Sequence, residues 1–513
     1  MDWFVLPDLW RTRGLAVQAR LRPEVAVEAA ENGELTVRHW WGAARLTGTT
    51  AVTASALRRL NEEWTDSHDL LTGVASSGRT SEEGAATPLA ELLWACQEFA
   101  FLIELRLVAG ERSLLTVKPA SYAARLPVGG LDPTGRRLSR FAFLHRGEEG
   151  LELASATSAH RVLLQDEETS HLVTSLVTEP VNCSGPASGT ADVVCGLLAG
   201  IGMLEGTETE GGTGTGEALL HVAEFPDLLV HQRSRFGSHD GGFGAEFPFL
   251  GRIDPSPAVP HSAAEGLINL PVPDAHEVRA RDLLLSDAIE SRCSLREYSD
   301  EPLTLAELGE FLFRCARIRG RYGPTPEANM PYQASDRPFP SGGGVHDLEL
   351  YPLVTRVTGL EPGAYRYSAA QHALERVAAP AADFDAVLHG ALRASSAASA
   401  PPVLFKIVSR FERMAWKYRS IGYATTLKNV GGLYQTMYLV ATAMGLAPCA
   451  LGSGEEVAGA RLLGASAASE LGVGEFILGR PVSTAAVRTA VAHRRGQPTW
   501  RPYVSPDWGF RRD

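Results

Sequence analysis

A Pro- and Gly-rich passage at 247–273 cuts an otherwise patterned chain in two, and that break constrains the fold more than any other feature. With 513 residues the chain is too long for one ordinary core, so domains of about 100–250 residues are expected on either side of it. Upstream, hairpins alternate with helices. Strand patterns at 34–37 and 44–46 flank a polar turn, and Thr53 can cap a helix carrying Leu57, Leu60 and Asn61. A helical stretch at 89–101 precedes strands at 102–108 and 113–117. A similar order restarts at Ser139, with strands at 141–144, 151–153 and 161–164 and a helix at 191–204. Hairpin plus helix, twice over, predicts two winged-helix-like α/β units at 1–130 and 131–250, with 206–216 (GTETEGGTGTG) a flexible loop in the second. Residues 251–280 read as a linker.

From Asp287 the pattern changes. Thr304 caps an amphipathic helix with Leu308, Phe311, Leu312 and Cys315 inward. Strands at 348–357 and 403–410, a long helix at 425–444 and a short strand at 475–478 follow. This alternation predicts an α+β domain over 281–513. The apolar run at 431–446 is broken by Tyr434, Gln435, Thr436, Tyr438 and Thr442, so it reads as a buried helix and not a membrane span. The N-terminus, MDWFVLPDLWRTRG, lacks a signal peptide's basic-then-apolar order, and a cytoplasmic location is expected. A net charge of −12 disfavours a nucleic-acid partner. Six cysteines without a CxxC pair point to reduced, buried thiols, and no metal ligand is named.

One bias is informative. Of 48 basic residues only four are lysines: Lys118, Lys406, Lys417 and Lys428. Where lysine persists against such a preference for arginine, either chance or a need for a titratable amine explains it.

Candidate chemistry concentrates downstream. In Ser291-Arg292-Cys293-Ser294-Leu295-Arg296, alternation puts Arg292, Ser294 and Arg296 on one side of an extended segment, which suits a phosphate. A solvated basic turn has the same composition. In Pro340-Ser341-Gly342-Gly343-Gly344 the glycines let backbone approach a flat ligand and offer N–H donors, or form an ordinary loop. Lys417 beside Tyr418 can serve as a base if burial or a neighbouring cation lowers one pKa; a solvated pair would not. The segments 427–438, 451–454 (LGSG) and 474–480 (GEFILGR) alone read as core helix and core strand.

In this order the segments resemble the SagB-type (ThcOx/McbC-like) peptide dehydrogenases of the nitroreductase superfamily. The resemblance covers 270–513 strongly and extends to 138–142 and 227–235. It implies a nitroreductase-like FMN domain forming an intertwined homodimer, with FMN at the subunit interface. It places the FMN phosphate on Arg292, Ser294 and Arg296, and Pro340, Ser341, Gly342 and Gly343 along the ribityl chain and ring. Leu451 and Gly452 fall near the isoalloxazine, Gln435 and Arg480 among further FMN contacts, and Lys417 and Tyr418 form the acid–base apparatus. It further implies oxidation of thiazoline or oxazoline rings in a ribosomal precursor peptide to thiazoles or oxazoles, beside a cyclodehydratase partner. The upstream half would dock peptide or partner, or only buttress the dimer. Cys293 and Leu295 stand where arginine or isoleucine is common, and Gly432 where many members place histidine, which puts substrate preference in doubt. An NAD(P)H-dependent nitro- or quinone reductase would share fold and flavin. A non-catalytic scaffold of a peptide-modifying complex would lack flavin.

Overall fold

A computed structural model describes residues 14–29, 34–40, 42–77, 88–127, 132–182, 189–206, 218–242, 244–260, 266–464 and 470–483. The chain divides into two compact units, Met1–Phe243 and Gly244–Asp513. Among the described residues no helix is long and apolar enough to cross a membrane.

The first unit is built on one antiparallel sheet. Its strands lie in the order Thr65–Asp66, Leu15–Leu21, Ile103–Ala109, Arg112–Pro119, His160–Leu164, Leu151–Ser155, Ala142–Arg146. Helices Ala51–Glu62, Ser67–Ser77 and Pro88–Glu98 pack together, beside a meander of Ala26–Ala29, Leu35–His39 and Gly42–Leu46. Thr50, not Thr53, supplies the cap of the first helix, accepting from the Thr53 N–H. The boundary expected at 130 falls inside this sheet, because Arg112–Pro119 pairs with His160–Leu164 and a single core runs from Leu15 to Leu204. Arg112–Pro119 is a central strand, paired on its two edges with Ile103–Ala109 and His160–Leu164, and its Leu114, Leu115, Thr116 and Val117 are all buried. Hairpin patterns are local and cannot say which hairpins pair. The loop expected at 206–216 lies, after Gly206, outside the described residues.

The second unit carries another seven-stranded antiparallel sheet. Its order is Ile268–Asn269, Ala373–Val377, Gly363–Ser368, Leu348–Val354, Val403–Ser409, Leu471–Gly479, Ala447–Leu451. Leu348–Val354 and Val403–Ser409 are buried at every position, which explains their mostly apolar sequence, interrupted by the buried Glu349, Lys406 and Ser409. Helix Leu305–Ala316 opens as expected at Thr304, whose hydroxyl accepts from Glu307 N at 3.2 Å while the Glu307 carboxylate accepts from Thr304 N at 2.8 Å. Leu308, Phe311, Leu312 and Cys315 are its buried face. Helix Gly422–Ala443 packs against the same core through Val430, Leu433, Met437 and Ala441.

The start of the expected linker is instead docked on this unit. The Trp416 indole donates to the Ile253 carbonyl at 2.7 Å, the Arg413 guanidinium to that of Ser256, and Ala258 N to Gln333 Oε1 at 3.2 Å. Prolines remove backbone donors but leave carbonyls, and these buried donors satisfy them.

Candidate functional site

Helix Gly422–Ala443 is the element around which the expected site residues are arranged. On one face, Thr425, Asn429 and Gly432 meet the glycine loop. Gly342 N donates to Asn429 Oδ1 at 3.1 Å. The Asn429 amide donates at 2.8 Å to Asp347 Oδ1, and Asp347 Oδ2 accepts from Ser409 Oγ at 2.6 Å and Thr426 Oγ1 at 2.8 Å. Asp347 is fully buried, and its three donors satisfy it. Ser341 Oγ accepts from His346 N at 3.0 Å, and Arg413 donates to the Val345 and Gln333 carbonyls, both at 2.8 Å. Gly432 has a steric reason: a β-carbon there would sit 3.0 Å from Pro340 Cγ, pressing on the loop.

Lys417 ends helix Phe411–Lys417 and turns its amine onto this loop. Nζ donates to Tyr332 Oη and lies 3.4 Å from the Gly343 carbonyl, to which Tyr332 Oη itself donates at 2.8 Å. The amine sits 4.4 Å from the Tyr332 ring centroid and 5.1 Å from that of Tyr418. Gly343 has φ 59°, and a β-carbon there would collide with Lys417 Nζ and stand 2.8 Å from Tyr418 Oη. Only glycine serves at this position, on both counts. Among the described residues no carboxylate pairs with Lys417, and burial pulls its pKa down to about 8. Burial pushes Tyr418 up and Tyr332 up to about 12. Lys417 is therefore the group that gives up its proton first.

The opposite face of the helix carries the other expected residues. Tyr438 Oη lies 2.7 Å from Ser294 Oγ and accepts from Ala450 N at 2.8 Å. The Arg292 guanidinium sits 4.9 Å from the Tyr438 ring centroid. Among the described residues neither the Arg292 nor the Arg296 guanidinium makes an ion pair or a hydrogen bond. Ser294 and Arg296 line a cleft of about 660 Å³ with Ser396 and Pro481. Leu451 and Gly452 line another, of about 470 Å³, with Tyr434, Lys406 and Glu475. Gln435 is exposed on the helix. Arg480 is otherwise engaged: it donates to Glu307 at 2.6 and 2.8 Å and to the Pro302 carbonyl at 3.2 Å, bracing a helix start.

At about 100° per residue, positions 425, 429 and 432 point opposite to 430, 434 and 438. One copy of the chain thus unites Lys417, Tyr418 and Gly343, and separately Ser294 with the turn at Leu451, but holds the two sets on either side of a helix. The donors fit FMN: two unpaired guanidiniums and a hydroxyl suit its phosphate, and the bare backbone at Gly342–Gly343 suits a flat ring. Sequence reasoning missed Tyr332, Asp347, Asn429 and Arg413. Asp347 and Asn429 lay inside segments singled out for other reasons, whereas Tyr332, in a bend, and Arg413, in helix Phe411–Lys417, carried no local signature.

The Nitroreductase family model matches residues 289–479, and the Cyanobactin oxidase ThcOx model matches 136–240. MJ1384 of Methanocaldococcus jannaschii, a protein assigned to the nitroreductases, is 32% identical over 186 residues, spanning 36% of this chain and 84% of its own. Among solved structures, a Ralstonia eutropha JMP134 protein assigned to the nitroreductases matches at 21% identity and a TM-score of 0.32, over 44% of this chain and 95% of its own. A chain of the Escherichia coli microcin synthetase McbBCD complex, with truncated pro-MccB17 bound, matches at 20% identity and a TM-score of 0.31, over 54% and 98%.

Proposed function

The chain belongs to the nitroreductase family, and from that premise we propose that it is an FMN-dependent dehydrogenase that oxidises thiazoline or oxazoline rings of a ribosomal peptide to thiazoles or oxazoles. The observation that carries this reading is the buried Lys417 amine, set over Gly343 between two phenols and titrating near the working pH. A reductase fed by a nicotinamide cofactor needs no such base. The upstream match to a cyanobactin oxidase model supports the same choice.

Arg292, Ser294 and Arg296 would hold the phosphate, with Pro340–Gly343 and the Leu451–Gly452 turn against the ring system. FMN, when bound, would supply the hydride acceptor. Azoline-to-azole oxidation removes a proton from one ring carbon and a hydride from its neighbour, leaving an aromatic ring. The carbon beside the peptide carbonyl is the more acidic, and Lys417 Nζ is the base that takes its proton. Tyr332 Oη fixes the amine by accepting one N–H, leaving a lone pair free only in the neutral form. Tyr418 closes the other side and excludes water.

The split across the long helix supports a homodimer in which one copy supplies Lys417 and the glycine loop and its partner the phosphate and Leu451 side. Leu283, Leu284, Leu285 and Ile289 form an exposed apolar row in keeping with a covered interface. The first unit would dock the precursor peptide or a cyclodehydratase partner. The five described cysteines are buried, which suits a reducing cytosol.

The test is anaerobic mixing of the purified protein with an azoline peptide. Bleaching of the oxidised flavin band, with loss of one hydrogen pair per ring, is expected. No bleaching by peptide but rapid bleaching by NADPH would replace this reading with the nitro- or quinone-reductase one.

A further inference from the structure

The cleft at Leu451–Gly452 contains chemistry that the mechanism above does not use. Lys406 and Glu475 face each other on paired strands, 3% and 2% exposed. Lys406 Nζ lies 3.3 Å from Glu475 Oε1, donates to the Glu455 carbonyl at 2.7 Å and reaches Glu456 Oε2 at 3.2 Å. Among the described residues Glu475 Oε2 has no hydrogen-bond partner. Tyr434 Oη, from the long helix, accepts from Glu475 N at 2.8 Å.

The surrounding backbone is cleared for these side chains. A β-carbon at Gly454 would overlap the Glu475 carboxyl, one at Gly474 the Tyr434 hydroxyl, and one at Gly459 the end of Lys406. An unpartnered oxygen on a buried carboxyl costs stability unless something fills it. Here it belongs to a residue that lines an open cleft, beside the turn to which the proposed function assigns the isoalloxazine.

Resting on that functional reading, we infer that Glu475 is a hydrogen-bonding and proton-holding residue for the flat heterocycle at Leu451–Gly452, its protonated Oε2 donating to a ring carbonyl or imine nitrogen. Lys406 is its positioning residue, holding Oε1 and leaving Oε2 as the oxygen open to a new partner. Such a donor binds the neutral ring and stabilises the negative charge that the ring gains when it accepts a hydride. Burial raises the Glu475 carboxyl to about 7, with Lys406 opposing and Glu456 and Glu455 adding to the rise. Those groups and Tyr434 are what face it: the partner strand Ala447–Leu451 presents no charge. The sign follows. Below about pH 7 Glu475 is a donor; above it, a carboxylate that repels the ring acceptor.

The test uses full-length protein and FMN itself. Dissociation constants from flavin fluorescence are measured for the wild type and Glu475→Gln between about pH 5.5 and 8.5. The FMN phosphate titrates near pH 6 in both proteins and cancels in their ratio. Glutamine keeps a donor but cannot titrate, so wild-type affinity should fall about three- to tenfold against the variant as pH rises through 7. A ratio constant with pH overturns the inference, even if the variant melts at a different temperature, because a purely structural brace would do that. If Glu475→Gln does not fold, riboflavin binding to the wild type decides: affinity flat across pH 7 overturns it. Wild-type protein that binds no FMN at any pH sinks the functional reading itself.

Discussion

Of the four lysines in the chain, Lys118, Lys406 and Lys417 are buried and Lys428 is exposed. Lys118 meets Glu149 and Glu104, and Lys406 meets Glu475 and Glu456, but among the described residues the Lys417 amine donates only to a phenol and a carbonyl. An amine without a counter-ion gives up its proton more readily on burial, which an arginine in its place would not do. The rate of azoline oxidation should therefore rise as pH climbs towards about 8, near tenfold per unit below it, and level off above. Lys417→Arg keeps charge but not titration, and should lose about 10²–10⁴ in turnover while retaining flavin. A Lys417→Arg enzyme with wild-type turnover would make the lysine electrostatic and shift the base to Tyr418. Tyr332→Phe removes an acceptor from the ammonium, so the midpoint of the rate profile should move to lower pH; an unmoved midpoint would deny Tyr332 any hold on the amine.

Among the elements, the glycine loop owes its position to the long helix. Asp347 gathers Ser409, Thr426 and Asn429, and Asn429 passes that order to Gly342. Asp347→Ala strands three buried donors, and should cost about 3–5 kcal/mol in denaturant unfolding. Asn429→Ala should leave the fold nearer intact yet weaken FMN binding, since it frees Gly342 N. Flavin affinity unchanged in Asn429→Ala would detach the loop from cofactor binding. The capping box at Thr304 and the alternating motifs around Ser294 were legible because their chemistry spans only a few residues. The Asp347 cluster was not, since its donors lie 62 to 82 residues downstream of the carboxylate they meet. The ion pair of Arg480 was not legible for a related reason: its partner, Glu307, lies 173 residues upstream.

For the whole molecule, a site divided between two faces of one helix predicts complementation. A chain carrying Lys417→Ala and a chain carrying Arg292→Ala with Arg296→Ala should each be nearly inactive alone. Co-expressed, they form mixed dimers in which one site keeps every residue and the other loses all. Random pairing should then restore about a quarter of wild-type turnover. Activity that stays at the level of the single variants would mean that each chain builds its site by itself. What the sequence determined was the order of the candidate site segments, and the helix and strand patterns that carry them, because alternating arginines, successive glycines and apolar periods act over a few residues. Tertiary structure alone decided that the upstream hairpins share one sheet and core, that the supposed linker is docked at Ile253 and Ser256, that Tyr332 meets Lys417, and that Glu475 lines a cleft. Each of those depends on which distant surfaces exclude water together, and burial of that kind has no local signature.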